Sequence, residues 1–139
     1  MTDFIINSEK VKATQISKNI YILEITDNPD GVLAIQDRPK RTYEYINNNS
    51  FANLWNTNQR GNSFSRDPPN AVIDFRNGDK SRTDIPVKIV STKTDGDKLK
   101  MRVVLLPGVL GSGVKEVMRN VVIWIDPTQP FDQSNVDDS

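Results

Sequence analysis

A chain of 139 residues is the size of one domain, long enough to bury a core without help from a disulfide or a metal. It carries 18 Lys+Arg against 18 Asp+Glu, so it lacks the basic excess of a nucleic-acid binder. Cysteine and histidine are absent, which excludes thiolate metal sites, disulfides, thiol nucleophiles and imidazole-based triads.

The opening MTDFIINSEKVK has no apolar run of signal-peptide length, and no stretch approaches the roughly 20 apolar residues of a membrane span. The expected location is cytoplasmic, with secretion by another route left open. Charge is uneven along the chain. Arg119 is the last basic residue, and Asp126, Asp132, Asp137 and Asp138 follow it. Residues 1–126 therefore read as one β-domain and residues 127–139 as an acidic tail.

Phe4, Ile5 and Ile6 predict a short edge strand. From Asn19 to Thr26 both faces are apolar, as in a well-covered strand. Asp27-Asn-Pro-Asp-Gly31 is a turn, because proline presets φ and glycine accepts positive φ. Val32 to Gln36 returns as the second arm of a hairpin. Asp37-Arg-Pro-Lys-Arg41 breaks that strand, and Thr42 to Ile46 alternates as another. Asn47 to Ser50 offers several helix caps. Phe51, Leu54 and Trp55 then fall on one helical face, predicting a helix over Ser50 to Gln59 that stops before Gly61.

Pro68-Pro69 forbids helix before the strand Asn70 to Arg76. Asn77-Gly78 is the strongest hairpin signal in the chain. Ile85, Val87 and Ile89 alternate around Pro86, whose missing N–H predicts an edge position or a bulge. Asp95-Gly96-Asp97 is a further turn. Leu99, Met101, Val103 and Leu105 alternate with Lys98, Lys100 and Arg102 in the next strand. Val117 to Asp126 contains a continuous apolar run, which predicts a buried central strand with Trp124 in the core. The sum is an all-β antiparallel sandwich of seven to eight strands with one short inserted helix.

Few residues offer chemistry. Pro107 to Lys115 is rich in glycine but has Val114 where a phosphate loop needs lysine, and a strand follows it, so it reads as a strand connection. Asp27 with Asp30, and Asp95 with Asp97, carry oxygen ligands suited to calcium but sit in turns where carboxylates serve turn geometry. Asp37 and Asp67 form the best carboxylate pair for hydrolysis. Arg38, Arg41 and Arg66 stand close to them in sequence, which favours a charge network that fixes the loops. Phe51 and Trp55 fit core packing better than a ligand platform. The polar run from Asn56 to Arg66 is long, and long loops tend to cover something or bind something.

The DRPKR turn, the helix with Trp55 and the block NSFSRDPPNAV together resemble a group of small bacterial β-proteins. Those proteins pair an S/TDRP-x-R turn with a later W…NSF…DPPNA block. The likeness spans about Ile35 to Asp74, with Gln36 in place of the usual small hydroxyl residue. It implies the β-architecture and marks Asp37, Arg38, Asp67 and Asn70 as one structural unit. It implies no substrate.

Three functions fit these residues, in this order. The first is a non-enzymatic β-protein acting by association, with itself as a homo-oligomer or with another protein, without a cofactor and without metal, nucleic acid or membrane. The scarcity of catalytic residue types and the edges expected near Phe4 and Pro86 favour it. The second is a small-ligand module built from the 56–66 loop and the Arg38/Asp67 cluster, with Arg41, Trp55 and Asn70 around it. The third is a carboxylate hydrolase using Asp37 and Asp67.

Overall fold

Apolar side chains at alternate positions oblige extended chain to bury one face and wet the other. Most of this chain does so. A computed structural model describes residues 2–36, 39–56 and 64–127. The strands are β1 (Thr2–Ser17), β2 (Ile20–Ile25), β3 (Val32–Gln36), β4 (Thr42–Ile46), β5 (Asn70–Phe75), β6 (Thr83–Asp95), β7 (Lys98–Leu105) and β8 (Val117–Asp126). Between β4 and β5 lies α1 (Asn48–Ala52), extended by a 3-10 turn over Asn53–Trp55. The protein is all-β and every pairing is antiparallel.

The facing layers are halves of one sheet. Its order is β2-β7-β6-β5-β8-β1-β3-β4, and β2 also pairs with β1. That extra pairing rolls the sheet shut, so β1, β2, β7, β6, β5 and β8 form a closed ring around the core. Following paired neighbours from Phe4 through Ile125, Ala71, Val87 and Leu105 leads to Asn19, beyond the far end of β1. This stagger is the tilt that closure demands.

One edge of β1 is shared. Residues Thr2 to Ile5 pair with β3, while Val11 to Ser17 pair with β2. Between them the strand changes which residues face inward, from Ile6 and Ser8 to Val11 and Ala13. The partner strand β8 makes the same change, from Val121 to Met118. Asn120 takes φ 52° at this point, a left-handed conformation that asparagine tolerates better than most residues. Ser8 Oγ accepts from the Lys10 amide and donates to its carbonyl, stitching the bend in β1.

The opposite side of the bend is held by the turn after β5. The Asn77 side chain donates to the Val117 carbonyl at 3.0 Å and accepts from the Arg119 amide at 2.8 Å. Asn120 Nδ2 donates to the Arg76 carbonyl. The Asn77-Gly78 pair thus does more than turn the chain. Its amide side chain replaces strand pairing where β8 is irregular.

Four sequence expectations change, and one is decided between two settings. Phe4 to Ile6 belongs to a long strand that runs on through polar residues to Ser17, with Phe4 and Ile5 partnered on both edges. The hairpin expected between β2 and β3 does not form, since β2 pairs with β1 and β7 and β3 with β1 and β4. Of the two settings expected for Pro86 it takes the bulged strand, because β6 lies between β5 and β7 and is irregular between Ile89 and Ser91. The Pro86 carbonyl accepts from Leu106 N, so the missing N–H also faces β7, just where that strand has ended. The helix expected over Ser50 to Gln59 starts earlier, at Asn48, because Asn47 takes the cap and accepts from Ser50 N at 2.7 Å, and it passes into a 3-10 turn after Ala52, while 57–59 lie outside the described residues. Trp124 is 47% exposed and outside the core. In a closed sheet Val121, Ile123 and Ile125 already occupy the inside, so Val122 and Trp124 must point out.

The helical segment plugs one end of the ring. Phe51 and Trp55 are buried and form an edge-to-face cluster with Phe4 and Phe64, with ring centroids 5.0–6.3 Å apart. Trp55 Nε1 donates to the Ile89 carbonyl at 3.1 Å, so the buried indole leaves no polar group unpaired. At the other end the glycine loop packs Gly111 beside the Tyr21 hydroxyl and Gly113 beside Thr83 and Ile85.

Two substitutions check this account. Gly31 has φ 82°, and a Cβ there would lie 2.2 Å from the Ile46 carbonyl oxygen. Gly31→Ala is expected to lower stability by more than the roughly 1–2 kcal/mol of a left-handed non-glycine residue, since the clash adds to it. Asn77→Ala is expected to lose about 0.5–1.5 kcal/mol through its two hydrogen bonds to the β8 backbone. Urea unfolding of both variants measures these losses; unchanged midpoints would refute the two roles.

Candidate functional site

Of the residues marked from sequence, Asp37 and Arg38 lie outside the described residues. Arg41 is exposed just before β4. Asp67 is half-buried in the turn that leads to β5, and Asn70 opens β5. Asn70 Oδ1 is buried and has no hydrogen-bond partner among the described residues. Trp55 is in the core. The structure does join Trp55 to the DPPN turn, through one residue. The Ile89 carbonyl accepts from the indole and the Ile89 amide donates to Pro69 O at 2.9 Å. The long polar run is described only at its ends, because 57–63 lie outside the described residues.

The two acidic turns meet in one place. Asp27 and Asp97 both line a cleft of about 480 Å³ whose other walls include Asn47, Asn48, Asn49 and Thr94. Asn28 and Asn48 exchange amide hydrogen bonds at 2.7 and 3.2 Å and lock the β2–β3 turn to the helix. Among the described residues no group of three or more Asp, Glu, His or Cys is placed to hold a metal ion.

The outer surface carries a more continuous feature. Cross-strand partners share a face of the sheet. Pairing places Tyr45 beside Leu33, Leu33 beside Ile5, Ile5 beside Trp124, Trp124 beside Val72 and Val72 beside Pro86. The row is uncharged and crosses five paired strands onto a sixth. Tyr43 and Ile35 lie beside it on the same face. Tyr43 and Tyr45 are 62% and 59% exposed, and Val72 and Trp124 are also open to solvent. Trp124, Val72, Pro86 and Leu106 border a shallow groove of about 390 Å³. Sequence periodicity could have found the row only with the strand register in hand.

The row ends at a free edge. Among the described residues β4 pairs with β3 alone, and Thr42 to Tyr45 are all exposed. Edge strands of soluble proteins are commonly guarded by lysine, proline or a bulge. β4 has none of these, its pairing with β3 is regular, and Glu44 is its single charge.

On the next outward row, Asp74 and Asp84 face each other on β5 and β6, with Arg82 bound to Asp74. The Asp84 carboxyl is held above its ordinary value. A hydrogen bond with Asp74 is the main cause, with partial desolvation and the Asp74 charge adding to it and Arg82 opposing it.

Against known proteins, no family model, no curated sequence and no solved structure matches the chain.

The carboxylate pair gives a signed prediction. A raised folded pKa means that the folded state binds this proton more tightly than the unfolded state does. The associated stability is full at acid pH and is lost as pH rises through the folded value. Asp84→Asn removes the repulsion, so its melting temperature is expected to exceed that of the parent protein at neutral pH and to converge with it in acid. Melting curves across pH check this. A variant less stable at neutral pH would contradict it.

Proposed function

We propose that this protein is a non-enzymatic association module whose contact surface is the β4 edge together with the tyrosine and tryptophan face beside it. The observation that carries this reading is an unguarded strand edge continuous with an uncharged aromatic row. Open edges recruit strands through their backbone groups, and exposed tyrosine and tryptophan are the side chains that dominate protein contacts. Chemistry is sparse by comparison. Trp55, which Ile89 links to the DPPN turn, is engaged in the core, and the Asp74/Asp84 pair lies on an open surface with its own arginine.

Site-specific photocrosslinking in cells of the source organism tests the reading. A photoreactive residue at position 43 is expected to give a protein adduct, while one at Lys80, in the exposed turn after β5, gives none. Adducts at neither position, or equally at both, would defeat the assignment of this face.

A further inference from the structure

We infer that the strand received by β4 is the β4 of a second copy, paired antiparallel about a two-fold axis at Glu44. This rests on the reading above and gives it a partner. An isologous edge contact requires a strand that complements itself when reversed. β4 reads Thr42-Tyr-Glu-Tyr-Ile46, with a tyrosine on each side of Glu44. Reversal about Glu44 sets Tyr43 opposite Tyr45 of the second copy, twice, and Thr42 opposite its Ile46, twice. Shifted registers lose this match.

The backbone agrees with that axis. The Ile46 carbonyl is directed at Gly31, at the start of β3. Backbone groups alternate sides along an antiparallel strand. Glu44 and Thr42 therefore turn theirs toward β3, and Tyr43 and Tyr45 turn theirs to the open edge. Tyr43 and Tyr45 would then form the hydrogen-bonded pairs across the axis. Their rings lie on the outer face, so four tyrosines would cluster there and join the aromatic rows of the two copies into one surface.

The same axis sets Glu44 against Glu44 of the second copy. Like charges directly opposite across a ladder oppose pairing. This limits affinity, and it separates a second copy from any other occupant. A different protein would fit best by placing a cation opposite Glu44, and neutralising Glu44 would then weaken it.

Sedimentation velocity of the purified chain over a wide concentration range tests the proposal, with circular dichroism as the folding control. The parent protein is expected to dimerise reversibly. Glu44→Gln is expected to tighten the dimer by about 1.5- to 5-fold, the range of one cross-strand pair. Glu44→Lys alone keeps like charges opposed, but an equimolar mixture with the parent protein is expected to form more dimer than either component. A parent chain that stays monomeric, a Glu44→Gln variant that associates no better, or a mixture that shows no excess would overturn the proposal. If position 43 still crosslinks to another protein, the association reading survives without the second copy. If it crosslinks to nothing, both fall.

Discussion

The structure depends on β1 having partners along both edges. Its pairing with β8 on one side and with β2 on the other turns an eight-stranded sheet into a closed one. Without the β1–β2 ladder, β2 and β7 would lie at an open end, and the core would lose the wall formed by Leu23, Ile25, Leu99 and Met101. Closure needs strong bending, and the bends are local and identifiable. One is the joint change of facing in β1 and β8 around Asn120. Another is the irregularity in β6 between Ile89 and Ser91. An extra residue in one strand increases twist and bends it, which is how short sheets curl.

The free edge follows from the same constraint. β2 takes the second half of one β1 edge, so β3 has room to pair only over Thr2 to Ile5. The β3–β4 hairpin then projects from the ring as a two-stranded ribbon. Val32 on its inner side is buried, and Ala34 and Ile46 pack against the core, so the ribbon is anchored. Gly31 allows the close approach that seats its base against the start of the helix. Among the described residues its outer side and far edge remain open, because no strand follows in the sheet order. The exposed tyrosines are thus a product of how the ring closes.

Much of the fold was legible in the sequence. The antiparallel β-class, the turns at Asp27 to Gly31 and Asp95 to Asp97, and the packing role of Phe51 and Trp55 could all be read from alternation and turn chemistry, whereas the strand order could not, and β2 and β3, which read as a hairpin, do not pair. What could not be read were facts about neighbours. Trp124 sits in a run that is apolar throughout, and only the register shows that Ile123 and Ile125 take the inside. Pro86 fits an edge or a bulged strand equally well, and only its neighbours show that it is the bulged one, with the missing donor facing the end of β7. Asn77 looks like turn punctuation until its amide reaches β8. The candidate site was hidden for the same reason. Its members come from six strands, at positions from Ile5 to Trp124, and no local window holds more than two of them. Of the residues that sequence did mark, Trp55 and the DPPN segment meet at Ile89, and Asp37 and Arg38 lie outside the described residues.

The two tryptophans sit in unlike surroundings, one sealed by phenylalanines with its N–H engaged, the other half in water on the outer face. The molecule therefore holds two native optical reporters that need no label. Emission from residue 55 follows the integrity of the interior. Emission from residue 124 follows whatever comes to rest on the surface, so docking and unfolding have separate spectral signatures.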